Sequence, residues 1–441
     1  MTFGIGSLKL SIAFIAGMAV SSFNGSALAQ NEQCLGFDES LHLAASRAPE
    51  VEGARARYDE AEADLREADS LRRPQLSTFG RSGVGDNGLT SNQIDNQIGL
   101  RLSQRVLDFG DAHLARQAAR ASVYQREYDI RDQQSRAAVT VASAYLSKLE
   151  AEAMIDVISQ RRSYFSRLQN SVVDLLAQGG ATRAERAQVN AQLAEAEADV
   201  LELNFLVEQS ATRIREYTGL PSDLCGYEDA VSVMNQYLHG LNTIDDVIDA
   251  SLHNNPLIGA SRSAISSLEA QRIRERRSRF PVVDVVGIVS YTYDDRREDW
   301  DLRDRVGVDV SVPLLSGNAI GARQDRVAAR LAQEESGLRG LQRSLREEAE
   351  ITFRRSISLQ AQLIRREAVA ASQQDYFEAV SGEFEFGLGT LPDLVDARLA
   401  YEQAMLNVVS ARFALFRLKL DLMRLTARLP VMMALQSDIG P

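Results

Sequence analysis

The fold is decided by the stretch FGLGTLPDLVDA at 386–397, because its central part occurs twice in the chain. GLGTLPD at 387–393 matches GGATRAE at 179–185, 208 residues earlier. Six of the nine prolines repeat at almost the same distance, as the pairs Pro49 and Pro256, Pro74 and Pro281, and Pro221 and Pro430. Solenoid repeats are only about 20–50 residues long. The sequence therefore predicts a protein built from two related halves.

Each copy of this stretch predicts the tip of a helical hairpin. Glycines that reverse the chain are followed by a Thr-x-x-acid pattern, Thr182 with Glu185 and Thr390 with Asp393. This pattern is a capping box, which starts a new helix. Asp396 lies three residues beyond Asp393 on the same helical face, where no cap requires an acid. Repeated by symmetry around an axis, Asp393 and Asp396 would form an anionic ring.

Long helices are predicted on the way to both tips. Residues 112–178 contain neither proline nor glycine, and at 1.5 Å per residue such a helix would extend about 100 Å. Residues 322–386 repeat this length. The returning helices are shorter, at 183–218 and 391–426. Helices at the start of each half would supply the missing lengths by stacking end to end, at 37–71 and 244–279.

Before each long helix the hydrophobic pattern changes to a period of two, which indicates β-hairpins at 75–104 and 281–314. Polar or small residues share one face of the last strand, and the other face carries Val306, Val308, Val310 and Val312. Strands of about ten residues can cross a bilayer when tilted. Aromatic residues near one rim would form the girdle that membrane barrels carry, namely Tyr291, Tyr293 and Trp300.

A soluble hairpin with one buried face is the alternative. The flanking helices are charged and offer no spare apolar face to cover these strands, which favours strands in a membrane. An open sheet edge in lipid leaves backbone groups unpaired, which costs several kcal/mol each, so copies of the chain must share one barrel. Two copies would give a barrel of eight strands, and side chains fill the interior of such a barrel. Three copies would give twelve strands, which leave room for a lumen.

The amino terminus carries the signature of an exported protein. Residues 1–29 combine Lys9, a short apolar stretch and the small-x-small site Ala27-Leu28-Ala29, which predicts a cleaved signal peptide; an uncleaved anchor is the alternative. The formal net charge of −12 argues against nucleic acid as a partner. An export compartment favours a disulfide between Cys34 and Cys225, with two unpaired thiols as the alternative.

The two repeats account for nearly all of the chain. The predicted segments are a signal peptide at 1–29, a first repeat at 30–221 with its tip at 179–185, a connector at 222–243, a second repeat at 244–430 with its tip at 387–393, and a tail at 431–441. The connector is expected to lie at the equator, between the two halves.

No residue pattern supports catalysis, a cofactor or a metal site. The stretch GVGDNG at 83–88 matches the dinucleotide fingerprint in its letters, but a second strand follows where a helix is required. The four histidines lie far apart, and none has helical metal-ligand spacing with another. No serine lies in a Gly-x-Ser-x-Gly motif. The protein is therefore not expected to be an enzyme.

The duplicated plan and the tip sequence at 386–397 resemble the TolC-like outer-membrane efflux proteins, over residues 37–430. The resemblance implies a mainly α fold with membrane β: a homotrimer whose twelve-stranded β-barrel lies in outer-membrane lipid and continues as a periplasmic α-helical barrel. It implies a passive exit duct of a tripartite efflux or type I secretion system, gated at its periplasmic tip. It also implies docking to a periplasmic membrane-fusion adaptor and to an inner-membrane pump or ABC transporter.

The resemblance assigns roles to residues at the tips. The side chains that match the family's periplasmic entrance and gate are Asp393, Asp396, Glu185 and Phe384. Gly389 replaces the family's tip arginine, which latches the closed entrance, and Arg183 in the other tip is the candidate substitute. An adaptor would grip the turns, at Gly179, Gly180, Thr182, Gly387, Gly389 and Thr390.

Two functions from other classes compete with a duct. A periplasmic adaptor with a coiled-coil hairpin predicts a single hairpin flanked by compact β domains, which the duplication does not match. A secreted coiled-coil structural protein leaves the paired β-hairpins unexplained. Cell fractionation separates the three, because only a duct predicts a detergent-resistant oligomer in outer-membrane material.

Overall fold

The computed structural model describes residues 34–85, 93–221, 223–294, 299–315 and 317–429. Every helix and strand below belongs to one compact unit, Leu35–Pro441. The predicted signal peptide at 1–29, residues 86–88 of the glycine-rich stretch and the tail at 431–441 lie outside the described residues.

The two halves contain the same elements in the same order. The first half contains α1 (Phe37–Arg47), α2 (Pro49–Ser70), β1 (Gln75–Gly85), β2 (Gln93–Leu107), α3 (Asp111–Ala177) and α4 (Arg183–Thr218). The segment between the halves contains α5 (Tyr227–Tyr237). The second half contains α6 (Ile244–Asn254), α7 (Pro256–Arg277), β3 (Val282–Asp294), β4 (Asp299–Ser311), α8 (Ala319–Glu385) and α9 (Leu391–Leu425). The predicted duplication is confirmed, down to the 67 residues of both α3 and α8.

The first helix of each half is broken, so the prediction of single helices at 37–71 and 244–279 is wrong. The breaks fall at Ala48 and Asn255, which have extended backbone with ψ of 133° and 124°. Each precedes a proline, whose ring disfavours the helical conformation of the residue before it. Pro49 and Pro256 then occupy the first helical position, where the N–H that proline lacks is not needed.

Helix α3 is paired by two helices in succession. α2 packs beside its first part, where Arg116 of α3 lies 2.8 Å from Asp69, and α4 packs beside its last part. At the junction, the side chain of Arg47 at the end of α1 donates to the carbonyl of Thr218 at the end of α4 (2.7 Å). This is the predicted end-to-end stacking. Among the described residues, no helix has the length and apolarity that crossing a membrane requires.

The largest apolar core lies where α1, α3, α4, α5 and α9 meet. Its largest fully buried side chains are Phe37, Leu41, Tyr145, Leu146, Ile214, Met234, Leu420 and Met423. Next to it, Leu35 and Leu224 form a parallel β-bridge, and the Tyr145 hydroxyl donates to the carbonyl of Leu35 (3.2 Å). Cys34 and Cys225 are disulfide-bonded in the structure. From the predicted connector, Ala230 and Met234 belong to this core and Leu224 packs against it.

The four strands form one antiparallel sheet in the order β1-β2-β3-β4, and the β2–β3 pair joins the two halves. One face exposes a continuous set of apolar side chains, including Leu76, Ile98, Leu100, Leu102, Val285, Val289, Val306, Val308 and Val310. The other face is polar, and on it Arg101 donates to Asp309 (3.0 Å). The predicted alternation is therefore present. Tyr293 and Trp300 are cross-strand partners with ring centroids 5.6 Å apart.

The two halves end their last helix with different residues. Gly219 follows α4 with φ 71°, a left-handed conformation that glycine adopts readily. The equivalent residue after α9, 208 positions later, is Ala427 with φ 52°. Its N–H donates to Arg424 (3.1 Å), and the next N–H donates to the carbonyl of Met423 (2.8 Å). This is a Schellman motif with alanine where glycine is preferred.

Replacing Ala427 with glycine should stabilise the protein, because it removes steric strain of about 1 kcal/mol in the left-handed region. The matched variant Gly219→Ala introduces the same strain in the first half and should destabilise by a similar amount. Thermal unfolding in detergent, followed by circular dichroism, measures both shifts. If the two variants melt at the wild-type temperature, strain at these helix ends is unimportant.

Candidate functional site

Both tips use the Schellman motif, in which two N–H groups beyond the helix donate back to its last turn. The bonds are Gly180 to Leu175 (2.8 Å) and Gly179 to Leu176 (3.2 Å) at the first tip, and Leu388 to Glu383 (2.8 Å) and Gly387 to Phe384 (3.0 Å) at the second. Gly179 and Gly387 have φ of 80° and 72°, which only glycine adopts without strain. The paired glycines thus fix two sharp turns of the same geometry.

The returning helices begin at Thr182 and Thr390, as predicted, but only the first cap is a complete box. Glu185 donates its N–H to the Thr182 hydroxyl (3.1 Å) and accepts the Thr182 N–H with its carboxylate (2.7 Å). At the second tip the Thr390 hydroxyl accepts the Asp393 N–H (3.3 Å) and donates its own proton to the Asp393 carboxylate (2.5 Å). The prediction of a reciprocal capping box at Thr390 is therefore wrong, because the Asp393 carboxylate accepts from the Thr390 hydroxyl and not from the Thr390 N–H.

One apolar cluster, here called the tip cluster, joins the two helical hairpins. Its members are Phe165, Leu168 and Val172 of α3, Val189 of α4, Val380 of α8, and Leu391, Leu394, Val395 and Ala397 of α9. Phe384 packs against it with a half-buried side chain. Each fully buried leucine or valine contributes about 2 kcal/mol, so the hairpins cannot separate without a large loss of apolar burial.

The candidate entrance residues differ in exposure. Asp393 and Asp396 are both exposed, on the side of α9 away from the buried Leu394. Glu185 is half-buried and engaged in its capping box. Arg183 is exposed and makes no ion pair among the residues that the structure describes. Within one chain, the structure therefore presents two acids to solvent and does not pair Arg183 with either of them.

The second turn also exposes two large apolar side chains that the sequence analysis did not single out. Phe386 is 82% exposed and Leu388 is 81% exposed. They flank Gly387, and this position within a turn is the signal that could have identified them. Large apolar side chains grouped at an exposed tip are typical of a surface that contacts another protein.

A group of four charged residues, three of which are buried, lies beside the tip cluster and is here called the charge group. Arg161 of α3 pairs with Asp199 of α4, and its Nε lies 3.2 Å from Oε1 of Glu402 on α9. Arg398, one turn before Glu402, completes the group. Glu402 is 2% exposed and Arg398 is 8% exposed. The group links both hairpins, because Arg161 contacts an acid from each.

Arg398 is surrounded by aromatic rings. Its guanidinium carbon lies 5.2 to 5.5 Å from the ring centroids of Tyr164, Phe377 and Tyr401, which stabilises the cation through the ring faces. Burial nevertheless lowers the pKa of Arg398. Burial also raises the pKa of Glu402 to about 7, against the attraction of Arg161 and Arg398. Within the described residues, neither oxygen of Glu402 has a hydrogen-bond donor in good geometry.

Sequence reasoning missed the charge group because charged residues on a helix are usually solvent-exposed. The available signal was that Arg398 and Glu402 lie four residues apart on the same side of α9 as apolar Leu394. Among the described residues, no group of three or more histidine, cysteine, aspartate or glutamate side chains could hold a metal ion. The tips therefore offer exposed acids, a shared apolar cluster and a buried charge group.

Comparison with known proteins identifies the family. The family model described as outer membrane efflux protein matches the chain twice, at residues 40–220 and 247–428. This chain belongs to the outer membrane efflux protein family. The two matches coincide with the two structural halves, so the duplication is a property of the efflux protein fold itself.

Individual relatives are distant in sequence and close in fold. The chain is 21% identical to the Proteases secretion protein PrtF of Dickeya chrysanthemi over 343 residues, which cover 73% of this chain and 74% of PrtF. It matches the outer membrane protein VceC of Vibrio cholerae at 17% identity with a TM-score of 0.74, covering 88% and 95% of the two chains. It matches the CmeC outer membrane channel of Campylobacter jejuni at 15% identity with a TM-score of 0.74, covering 97% and 96%. These likenesses confirm the predicted fold class.

Protonation of Glu402 should make stability depend on pH. Because its pKa is higher in the folded chain (about 7) than the ordinary value of 4.5, the folded state binds the proton more tightly between these values. Stability should therefore fall as the pH rises from 4.5 to 7, by about 3 kcal/mol at most. Glu402→Gln removes this dependence, so the melting temperature of wild type should fall relative to that of the variant across this range.

The matched control is Glu197→Gln, which neutralises an exposed glutamate on the neighbouring helix α4. Its melting curve should follow that of wild type at every pH. If Glu402→Gln also runs parallel to wild type between pH 4.5 and pH 8, the buried carboxyl does not carry the pH dependence.

Proposed function

We propose that this efflux protein is the outer-membrane duct of a tripartite efflux or type I secretion system, a passive conduit that opens and closes at its periplasmic tips. The observation that carries the proposal is the four-stranded sheet, which exposes an apolar face and leaves two edges open. In water such a face would be an aggregation hazard. In lipid it is the stable arrangement, provided that the edges find partners.

Three copies of the chain close the sheet into a twelve-stranded barrel. Closure removes both edges, and twelve strands leave a lumen whereas eight are filled by side chains. The polar face of each sheet, with Arg101 and Asp309, then lines the interior and the apolar face meets lipid. The helices of the three copies continue this lumen as an α-helical barrel in the periplasm.

The tips form the gated entrance of the duct. Asp393 and Asp396 are exposed on α9, and three copies bring six such acids around the axis, which favours cations. The tip cluster and the charge group hold the two hairpins of each chain together in the closed form. They take the role of the tip arginine that Gly389 replaces, and Arg183 is a candidate for contacts between copies. Opening moves the hairpins apart, with Phe384 leaving the tip cluster.

The glycine turns form the surface that a periplasmic membrane-fusion adaptor grips. Gly179, Gly180, Thr182, Gly387 and Thr390 are exposed in the turns, and Gly389 is half-buried beside them. Phe386 and Leu388 add apolar contact area. The adaptor in turn recruits an inner-membrane pump or ABC transporter, which supplies the energy. PrtF is named for the secretion of proteases, so secreted polypeptides are one cargo class to test beside small molecules.

The amino terminus and the two cysteines support export of this protein across the inner membrane. We expect cleavage after Ala29, which places Cys34 close to the mature terminus. Cys34 and Cys225 are both disulfide-bonded, as expected of proteins in an oxidising compartment. Fractionation distinguishes the duct from an adaptor or a secreted structural protein: a duct requires detergent for extraction from outer-membrane material, and recovery in the soluble periplasmic fraction would contradict it.

Neutralising the entrance acids should change ion selectivity. In planar bilayers the wild-type duct should prefer cations, and the double variant Asp393→Asn with Asp396→Asn should pass anions more readily, because the anionic ring is lost. The reversal potential in a salt gradient measures the change.

The control for this experiment is the double variant Glu335→Gln with Glu347→Gln, which neutralises two exposed acids on α8 far from the tip. It removes the same charge and should leave the reversal potential close to that of wild type. An unchanged reversal potential in the aspartate variant would remove both residues from the entrance. A protein that forms no channels at all would contradict the duct.

A further inference from the structure

The structure leaves two strand edges that must find partners in another copy. β1 and β4 each pair on one side only among the described strands. The internal β2–β3 pair joins the first hairpin to the second. The two hairpins are copies of each other, so β4 corresponds to β2 and β1 corresponds to β3. A contact between β4 and β1 of a neighbouring subunit is therefore equivalent to the β2–β3 contact within the chain. Its register can therefore be obtained from the internal pair.

The duplication supplies the offset for each strand. Pro74 and Pro281 precede β1 and β3, which relates those strands by 207 residues. Thr78 lies opposite Leu100 in the first hairpin, and Val285 lies opposite Val308 in the second. Since Thr78 corresponds to Val285, Leu100 corresponds to Val308, and the offset between β2 and β4 is 208.

These offsets carry the internal register to the open edges. Within the chain, Leu100 lies opposite Val289 and Leu102 lies opposite Gly287. In β4, Val308 is equivalent to Leu100 and Val310 is equivalent to Leu102. In β1, Ser82 is equivalent to Val289 and Gly80 is equivalent to Gly287. All eight positions belong to the apolar, outward face, so the transferred register keeps every side chain on its proper side of the sheet.

We propose that β4 pairs antiparallel with β1 of a second copy of this chain, with Val308 opposite Ser82, Val310 opposite Gly80 and Asp309 opposite Arg81 of the partner subunit. The inference rests on the proposed barrel and adds the register and the residues that close it. The resulting ion pair between subunits lies on the polar inner face.

Charge complementarity supports this register. Asp309 is half-exposed although it accepts a hydrogen bond from Arg101, so its carboxylate has room for a second guanidinium. Arg81 is exposed and has no ion pair in the described part of the chain. Directly opposite residues have Cβ atoms about 5 Å apart, within reach of an arginine. Asp309 would then lie between two arginines, one from each subunit.

Other registers lose these contacts. A slip of one residue would place Arg81 opposite Val308 or Val310 and turn every side chain of one strand to the wrong face. A slip of two would place Arg81 opposite Gly307 or Ser311, where no acid is present. The internal pair shifts its register after Arg105, so that Leu107 lies opposite Val283. Carried over with the same offsets, this shift brings the highly exposed Leu315 level with Leu76 of the partner subunit, and both side chains are exposed in a single chain.

Cysteine cross-linking tests the register in the full-length protein. Val308→Cys combined with Ser82→Cys places two thiols directly opposite each other across the interface, whereas Val308→Cys with Gly80→Cys displaces them by two residues to about 7–8 Å. Outer membranes carrying each variant are treated with a mild oxidant and analysed on non-reducing gels. The first pair should give covalent oligomers and the second should give few.

The outcomes distinguish this inference from the proposed function. Preferential cross-linking of the displaced pair, or an oligomer that neither pair can cross-link, overturns the register but leaves the shared barrel standing. A protein that behaves as a single chain without detergent overturns the barrel itself. Wild type, whose two cysteines are already disulfide-bonded, shows the background of the reaction.

Charge reversal tests the ion pair independently. Arg81→Asp and Asp309→Arg, made singly, each place like charges opposite each other and should lower the temperature at which the oligomer dissociates in detergent. The double variant restores opposite charges across the interface and should recover the part of the loss that comes from position 81, whereas the arginine at position 309 still faces Arg101 of its own chain. The same swap at Arg303 and Asp309 is the control, because the proposed register does not bring those side chains together. If the Arg81 and Asp309 effects simply add, these residues do not contact each other.

Discussion

Backbone hydrogen bonding in hydrocarbon is the constraint on which the structure of this efflux protein depends. The described part of the chain contains one sheet of four strands. Its apolar face suits lipid, yet a four-stranded sheet has two edges with unpaired N–H and C=O groups. Lipid cannot satisfy those groups. In the proposed duct, this requirement for partners makes each chain one part of a barrel whose polar face points inward. The helices of the copies then surround the same axis, which would repeat their exposed acids around it.

The helices below the sheet satisfy their own backbones, so packing between side chains decides how they associate. At the equator the first and second halves share a large apolar core. At the tips they share a smaller apolar cluster beside the Arg161 and Glu402 pair. A buried ion pair contributes little net stability, but removing one member is costly because the other charge stays buried. In the proposed duct, this combination would suit a gate that closes in one defined geometry and also opens, since a buried ion pair specifies position more than it adds stability.

Much of this arrangement could be read from the sequence because it follows local rules. A few neighbouring residues encode each of the long helices, the glycine turns and the period-two strands. Because the sequence is duplicated, each of these patterns occurs twice. The break before Pro49 was also encoded locally, but the helical pattern on both sides concealed it. The contact between Glu402 and Arg161 could not be predicted, because it depends on which face of α9 meets α3 across more than two hundred residues of sequence. The left-handed conformation of Ala427 also could not be predicted from its own neighbours. Only the glycine at the equivalent position in the other half indicates it.

If open sheet edges oblige copies of this chain to share one barrel, the number of chains in the complex is fixed by the number of strands that close it. Native mass spectrometry of the protein, extracted from outer membranes and released from detergent in the gas phase, gives the number of subunits without assumptions about shape. We predict three chains, which supply twelve strands. A complex of two chains would leave an eight-stranded barrel too narrow to conduct, and a single stable chain would show that the sheet edges need no partner.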